Sequence, residues 1–248
     1  MERRLRWDRR CHGGDATRQP RCVRHQSRGR GSGIMKRILL VQQKGGSAKT
    51  TLCVHLAVAA ERAGFKTAII DTDPQGSASA VWGVARGGVA PAVASVIAAE
   101  LREALDAAEA DGYQVVFVDT APHTAPAIEV VARSVDFAIV PVQPSILDVA
   151  ATQRTVALLR AAKVPAVAVL TRAPAKRDEE TNETEKALAA LGLPLLDTWM
   201  GERKVYRRAL TQGQAVAEFD PASKAAKEIF KLWKEIDQYD ITRLGAAA

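Results

Sequence analysis

The stretch Val41-Gln42-Gln43-Lys44-Gly45-Gly46-Ser47-Ala48-Lys49-Thr50-Thr51-Leu52 decides the fold of this chain. The apolar run that ends at Val41 is typical of a buried strand, and the run from Lys49 to Arg62 is typical of a helix. A glycine-rich turn between a strand and a helix leaves backbone N–H groups unpaired at the positive end of the helix dipole. The stretch therefore predicts an anion cradle, in which Lys49 supplies an ammonium group for phosphates and Thr50 a hydroxyl for Mg²⁺.

The composition describes a chain that can bury a large core. It has 248 residues, of which 47% are hydrophobic, and this predicts one main domain. The net charge of +7 arises in residues 1–33, which hold ten of the 35 basic residues and three of the 28 acidic ones. Residues 34–248 therefore carry 25 of each sign and are neutral. A nucleic-acid surface on this body requires local clustering of charge.

Residues 1–34 form a basic extension that we expect to be disordered. It has too few large apolar side chains to offset the entropy lost on ordering. Because Met35 directly precedes the first strand and is a natural start, the extension is interpreted as a translated upstream stretch or a tag-like segment. Two alternatives stay open, a basic arm for nucleic acid and a metal site from Cys11, His12, Cys22 and His25. The predicted division is thus an extension at 1–34 and a domain at 35–248.

The distribution of cysteines and apolar runs predicts the compartment. Cys11, Cys22 and Cys53 form no paired framework, which favours a reducing cytoplasm. No apolar run approaches the roughly 20 residues of a membrane-spanning helix. The N-terminus has no apolar segment of the secretory type, and residues 241–248 are too short and weakly basic to bind a membrane. We therefore expect a cytoplasmic protein with no membrane partner.

Apolar strands and helical segments alternate from Met35 onward. Continuous apolar strands separated by helices predict an α/β fold, a mostly parallel twisted sheet with helices on both faces. The predicted strands are Arg37–Val41, Thr67–Ile70, Gln114–Val118, Phe137–Val140, Ala166–Leu170 and, more weakly, Leu193–Leu196. The predicted helices lie near residues 50–63, 95–110, 124–133, 146–162, 179–191 and 221–238. Residues 85–92 are predicted to form a surface loop.

Polar motifs follow three of the strands, at the carboxyl ends where parallel sheets bind ligands. The second strand is followed by Asp71-Thr72-Asp73-Pro74-Gln75-Gly76, the third by Asp119-Thr120-Ala121-Pro122 and the fourth by Pro141-Val142-Gln143-Pro144. Carboxylates beside a phosphate loop hold Mg²⁺ or its waters and position an attacking water. A lone aspartate at a strand end is more often a cap, but several in register with such a loop favour a site.

These motifs resemble the ParA family of deviant Walker A P-loop ATPases, within the superfamily that includes MinD. The resemblance covers the chain from about Met35 to the final helix and implies a SIMIBI-type P-loop NTPase fold. It rests on Lys44-Gly45-Gly46-x-x-Lys49-Thr50, Asp71-x-Asp73-Pro74-Gln75, Asp119-Thr120-Ala121-Pro122 and Val140-Pro141-Val142-Gln143-Pro144. Gly213-Gln214 and Phe219-Asp220-Pro221-x-Ser223-Lys224-Ala225-Ala226 match the ParA branch. The implied activity is a weak, partner-stimulated hydrolysis of ATP to ADP and phosphate.

The resemblance also implies roles for single residues. Three are implied to be catalytic: Lys44 reaches across an ATP-sandwich homodimer to the partner's nucleotide, Lys49 holds the β- and γ-phosphates, and Asp73 orients the attacking water. Thr50 and Asp119 are implied to hold Mg²⁺. Asp71 is interpreted either as a further metal-site residue or as a structural cap. The other implied ATP contacts are Gly45, Gly46, Ser47, Ala48, Thr51 and, near the adenine, Pro144.

Ala48 departs from the family pattern, which most often has glycine before the phosphate lysine. If this position has positive φ, alanine costs roughly 1–2 kcal/mol relative to glycine, and its methyl group approaches the phosphate. Two classes of function therefore stay open. The first is an active ATPase, and the second is a nucleotide- or DNA-binding regulator of the same fold that does not hydrolyse ATP.

The resemblance further implies that an ATP dimer binds nonspecific DNA and positions a plasmid, a chromosome or a protein cargo. The implied partner is a ParB-like protein or cargo adaptor, and the implied location is the bacterial nucleoid. The densest basic cluster, at residues 202–208, has Arg203, Lys204, Arg207 and Arg208 at helical spacing. Such spacing places the cations on about one face, suited to phosphates. The alternative interpretation of the cluster is a solvated helix face.

Overall fold

The computed structural model describes residues 34–121 and 125–239. The predictions for residues 1–33 and for the C-terminal end lie outside these residues. The described residues form a parallel sheet of seven strands in the order β3-β2-β4-β1-β5-β6-β7. The strands are β1 (Lys36–Leu40), β2 (Thr67–Asp71), β3 (Ala92–Ser95), β4 (Val115–Asp119), β5 (Phe137–Val142), β6 (Ala166–Ala173) and β7 (Met200–Gly201). The predicted fold class is confirmed.

Helices connect the strands and cover both faces of the sheet. They are α1 (Lys49–Arg62), α2 (Val84–Arg86), α3 (Leu101–Ala110), α4 (Ala125–Ala132), α5 (Ile146–Ala161), α6 (Glu179–Ala190), α7 (Lys204–Thr211), α8 (Val216–Phe219) and α9 (Lys224–Gln238). A π-helical segment occupies Ser77–Gly83, and a 3₁₀ turn occupies Ala98–Glu100. No helix in the described ranges is both long enough and apolar enough to span a membrane.

The central strand β1 shows why the inner residues of these strands form continuous apolar runs. Ile38 and Leu40 pack on the face covered by α1 and α9, whereas Leu39 and Val41 pack on the face that carries α3, α4 and α5. Successive side chains of a strand point to opposite faces. A strand covered by helices on both faces therefore buries every side chain, and the continuous apolar runs of the sequence follow from this.

The two edges of the sheet differ from the prediction. The short edge strand β3 is built from small, half-exposed residues, so its sequence carries no strong apolar signal. The predicted strand Leu193–Leu196 is wrong in extent, because it contributes only an isolated bridge between Leu195 and Ala168. Pro194 has no N–H to donate, which limits this ladder. The sheet resumes at β7 instead.

His55 joins α1 to the C-terminal part of the chain. Its ring is fully buried, its Nδ1 accepts a hydrogen bond from the Val216 N–H at 3.0 Å, and its centroid lies 5.0 Å from that of Tyr206. Burial lowers the pKa of His55 to about 3. The imidazole is therefore neutral in the folded protein, and it attaches α8 and α7 to the helix that follows the phosphate turn.

We predict that His55→Gln reduces the dependence of stability on acid pH. Between the unfolded pKa of about 6.5 and the folded value of about 3, the unfolded chain binds more protons than the folded one. The free energy of unfolding therefore falls as the pH falls, by up to about 1.4 kcal/mol per pH unit. Glutamine retains an acceptor for the Val216 N–H but does not titrate.

Urea unfolding of both proteins at pH 7.5 and pH 5.0 measures this contribution. Because the two proteins differ at one titrating group, the difference between their pH dependences isolates His55. An equal loss of stability between the two pH values in parent and variant would contradict the prediction.

Candidate nucleotide site

The turn between β1 and α1 passes twice through the left-handed backbone conformation. Gly46 has φ 79° and Ala48 has φ 67°, and α1 begins at the next residue, Lys49. Turns of this kind direct backbone N–H groups toward one concave side and form an anion-binding nest. The backbone of this segment is therefore the anion cradle that the sequence predicts.

A cavity of about 240 Å³ lies over this turn. Its lining contains the whole segment Gly45–Thr51, together with Asp73 from beyond β2, Thr120 from beyond β4 and Arg172 from the end of β6. Most of the predicted phosphate-site residues are thus brought together. Arg172 is an addition that the sequence does not single out.

Three neighbouring strand ends hold the turn in place by side-chain hydrogen bonds. The Thr120 hydroxyl donates to the Leu40 carbonyl at 2.9 Å. The Gln143 amide donates to the Gly46 carbonyl at 2.8 Å, and the Thr171 hydroxyl donates to the Ser47 carbonyl at 3.0 Å. The carbonyls of the turn are therefore satisfied from β5 and β6.

Asp71 makes the hydrogen bonds of a structural cap. Its Oδ1 accepts the Asp73 N–H at 2.9 Å, and its Oδ2 accepts the N–H groups of Ala78 and Ser79 and the Ser79 hydroxyl at 2.9–3.1 Å. The carboxylate is fully buried and engaged through both oxygens. Of the two roles given for Asp71, these contacts are those of a cap, and its role beside the metal site stays a prediction. Through its bond to Asp73, Asp71 fixes the start of the following segment.

The segment that follows Asp73 is docked onto the turn between α7 and α8. Trp82 is buried, and its Nε1 donates to the Gln214 carbonyl at 3.2 Å. The Arg86 guanidinium lies 4.7 Å from the centroid of the Trp82 ring and makes two contacts of 2.8 Å with the Glu218 carboxylate. The chain from β2 to α2 therefore connects the phosphate cavity to the C-terminal helices.

Asp119 is fully buried at the end of β4. Within the described residues, neither of its oxygens accepts a hydrogen bond of standard geometry. Burial raises the pKa of Asp119 to about 7, partly opposed by the Thr50 hydroxyl and by Lys49. A buried carboxylate without a partner is unfavourable, and hard oxygen donors of this kind suit Mg²⁺. Thr50 and Asp119 therefore fit the metal site that the sequence implies.

Lys49 lies inside the cavity with only 7% of its surface exposed. Burial lowers the pKa of its ammonium group, while the nearby carboxylates of Asp119 and Asp73 raise it. The ammonium group thus lies between the anion cradle and two aspartates. This position suits a lysine that binds phosphate oxygens next to a metal.

Lys44 and Pro144 lie outside the lining of this cavity. The Lys44 ammonium forms an ion pair with Asp148, which is 1% exposed in the first turn of α5. Pro144 is half-buried between β5 and α5. The roles implied for Lys44 in a partner's site and for Pro144 near the adenine stay predictions.

The basic cluster on α7 is divided by the fold. The Arg203 guanidinium contacts the Glu228 carboxylate through Nε at 3.0 Å and Nη2 at 2.6 Å. Arg203 is therefore engaged with α9, and its role as a DNA contact stays a prediction. Lys204, Arg207 and Arg208 are exposed along α7. These three cations remain as the candidate anion-binding surface.

A phosphate cradle between a parallel strand and a helix, with carboxylates at the neighbouring strand ends, defines a P-loop nucleotide-binding protein. The sequence profile of the CobQ/CobB/MinD/ParA nucleotide binding domain matches residues 38–216. The chain belongs to this family. The resemblance drawn from the motifs is thereby confirmed.

Relatives of similar length support the assignment. Maintenance of carboxysome distribution protein A of Gloeobacter kilaueensis is 31% identical over 81% of this chain and 94% of that protein. The chromosome-partitioning ATPase Soj of Thermus thermophilus is 27% identical over 82% of this chain and 95% of that protein. The structure of Pyrococcus horikoshii MinD with Mg-ADP is similar in fold, with a TM-score of 0.68 and 21% identity over 87% of this chain and 100% of the other.

We predict that Ala48→Gly stabilises the protein and tightens its binding of nucleotide. At φ 67°, alanine is disfavoured by about 1–2 kcal/mol relative to glycine, and the exchange also removes a methyl group from the lining of the cavity. Urea unfolding and titration with a fluorescent ATP analogue measure the two effects.

Lys163→Gly is the matched control for Ala48→Gly. Lys163 has φ 58° but is exposed just beyond α5, so glycine relieves the same backbone conformation far from the cavity. We expect a similar gain in stability without a change in nucleotide affinity. A gain in the control with none in Ala48→Gly would contradict the prediction.

We predict that Asp119→Asn stabilises the nucleotide-free protein above pH 7. Between pH 3.8 and about 7, the unfolded chain loses a proton that folded Asp119 retains, so stability falls as the pH rises through this window. Asparagine removes the buried charge, and we expect a gain of roughly 1–4 kcal/mol at pH 8 that disappears near pH 4. Because asparagine lacks the carboxylate proposed to hold Mg²⁺, we also expect that Mg²⁺ no longer increases the nucleotide affinity of this variant. Thermal unfolding at both pH values checks the sign, and a variant less stable than the parent at pH 8 refutes the prediction.

Proposed function

We propose that this chain is an ATPase that dimerises on ATP, binds nonspecific DNA and takes part in positioning a plasmid, a chromosome or a protein cargo. The observation that carries the proposal is the grouping of Lys49, Thr50 and Asp73 around one cavity, beside the buried carboxylate of Asp119, which accepts no hydrogen bond of standard geometry from the described residues. These are the groups that phosphoryl transfer to water requires.

Each group has a distinct task in this proposal. Lys49 and the N–H groups of the turn bind the β- and γ-phosphates, and Asp73 orients the attacking water. Thr50 and Asp119 hold Mg²⁺, which when bound neutralises charge on the phosphates. Asp71 keeps Asp73 at the rim of the cavity through the bond to its N–H.

Dimerisation on ATP is supported by the position of Lys44. Its ammonium group lies outside its own cavity and beside α5. On the first turn of α5, Ile146 and Leu147 are 76% and 70% exposed. In the proposed dimer a second copy covers both apolar side chains, and Lys44 exchanges its ion pair with Asp148 for the nucleotide of that copy. The arrangement corresponds to the ATP-sandwich homodimer.

DNA binding is supported by the three exposed cations of α7. Lys204, Arg207 and Arg208 lie on a helix with no acidic residue in its first turn. Residues 34–248 as a whole are neutral in sequence, so binding to DNA phosphates requires a local cluster of cations such as this one. Nucleoid association in a bacterial cytoplasm follows from the same proposal.

A role in positioning is supported by the relatives. One is named for the maintenance of carboxysome distribution, and another for chromosome partitioning. Both match more than nine-tenths of their own length. We extend to this chain a cargo-positioning role with a ParB-like protein or another cargo adaptor as the partner.

ATP hydrolysis with and without DNA tests the proposal, with Lys49→Ala as the control. We expect slow release of phosphate by the parent protein, stimulation by DNA and loss of both in the variant. Release no faster than in the Lys49→Ala control under every condition would reject the ATPase. Retention on DNA that does not increase with ATP would reject the switch.

A second function, a regulator that binds nucleotide or DNA without hydrolysis, is favoured by one observation. Ala48 occupies a left-handed position in the phosphate turn, where glycine adopts the conformation without strain. If the parent binds ATP without turnover and Ala48→Gly hydrolyses it, the regulator is the correct function of the native chain.

We predict that replacing Lys204, Arg207 and Arg208 together by glutamine weakens retention on DNA and reduces its salt dependence. Each phosphate contact contributes about 0.9 to the slope of log affinity against log salt, so the slope falls by as much as about three. The matched control replaces three exposed cations elsewhere, Arg102, Arg154 and Lys176. A control that loses as much affinity as the α7 variant would refute the assignment to α7.

A further inference from the structure

Arg172 enters the cavity lining through an irregularity in β6. The pairing of β6 with β7 shifts register between Thr171 and Ala173, and Arg172 between them has φ 49°. A bulge of this kind re-aims a side chain, and such irregularities are common next to functional sites. A left-handed arginine is unfavourable and persists where the surrounding structure enforces it.

The neighbours of Arg172 fix the bulge against the phosphate turn. Thr171 and Ala173 are buried, and the Thr171 hydroxyl donates to the Ser47 carbonyl at 3.0 Å. Arg172 itself is exposed and lines the same cavity as Lys49. The backbone therefore holds a flexible cationic side chain at a defined edge of the anion cradle.

The two lysines of the phosphate turn both lie close to carboxylates. The Lys44 ammonium is paired with Asp148, and the Lys49 ammonium lies close to both Asp73 and Asp119. Within residues 34–121 and 125–239, the Arg172 side chain forms no ion pair or hydrogen bond with a protein group. It is thus a cation available to an anion that enters the cavity.

The residues with a left-handed backbone conformation also point to the cavity as a functional site. Apart from glycines, three described residues have positive φ: Ala48, Lys163 and Arg172. Lys163 ends a helix, where this conformation is common. The other two both line the phosphate cavity, so the backbone strain of the chain is concentrated there.

We propose that Arg172 is a further nucleotide-binding residue, which binds the phosphate chain of a nucleotide held in the cradle of its own protomer. A guanidinium presents planar paired donors that match phosphate oxygens. Arg172 thereby adds a second cation to Lys49 within one chain, in contrast to the contact across the dimer proposed for Lys44. The inference rests on the proposed binding of ATP and adds a residue to it.

Calorimetric titration of Arg172→Gly with ATP and with inorganic tripolyphosphate tests the inference. Glycine adopts φ 49° without strain, so this variant removes the side chain and keeps the bulge. We expect about a ten- to hundredfold loss of affinity for both probes, the effect of a charge-assisted hydrogen bond. Arg172→Lys retains the charge without the paired donors, and we expect a smaller loss.

The control variant is Arg154→Ala. Arg154 is an exposed arginine on α5 outside the cavity lining, and alanine preserves its helix better than glycine. We expect this variant to bind both probes as the parent does. Affinities of Arg172→Gly within twofold of the parent overturn the inference and leave ATP binding intact. A loss for ATP with none for tripolyphosphate also overturns it, because the side chain then contacts the base or ribose. A parent protein that binds neither probe overturns the proposed function together with this inference.

Discussion

The rest of the site depends on one constraint, which is that the turn after β1 bends through left-handed positions at Gly46 and Ala48 beside the cavity and so directs N–H groups toward one side. Its carbonyls must then find donors within the protein, because a buried carbonyl without a partner is unfavourable. Gln143 and Thr171 supply these donors to Gly46 and Ser47. The order of the sheet makes this possible, since β5 and β6 follow β1 on one side. The parallel arrangement of the strands thus forms the turn and also supplies the hydrogen bonds that fix its backbone.

The site combines several features that oppose folding. Ala48 has a strained backbone, Asp119 has a buried carboxylate with a raised pKa, and Lys49 has a buried ammonium with a lowered pKa. Phosphates and a divalent cation would supply partners for the two buried charged groups, whereas the backbone of Ala48 stays strained with or without them. A ligand that supplies those partners would therefore raise the stability of the fold through Lys49 and Asp119.

The sequence predicts most of the fold because buried strands and a glycine turn leave strong local patterns. It also identifies the carboxylates, since strand ends of a parallel sheet meet at one edge. It does not separate the roles of Asp71 and Asp119, which depend on the N–H groups that surround each carboxylate. The pairing of Arg203 with Glu228 joins two helices, and the bulge at Arg172 arises from strand pairing. Neither leaves a periodic signal.

The packing of Trp82 makes its fluorescence sensitive to the position of the segment after Asp73. The indole is 2% exposed, donates to Gln214 and lies against the Arg86 guanidinium. The other described tryptophans, Trp199 and Trp233, lie elsewhere, Trp233 within the core beneath α9. A displacement of this segment changes the polarity around one indole and leaves Trp233 in an apolar environment. Intrinsic fluorescence therefore reports on the region around Asp73 without any attached label.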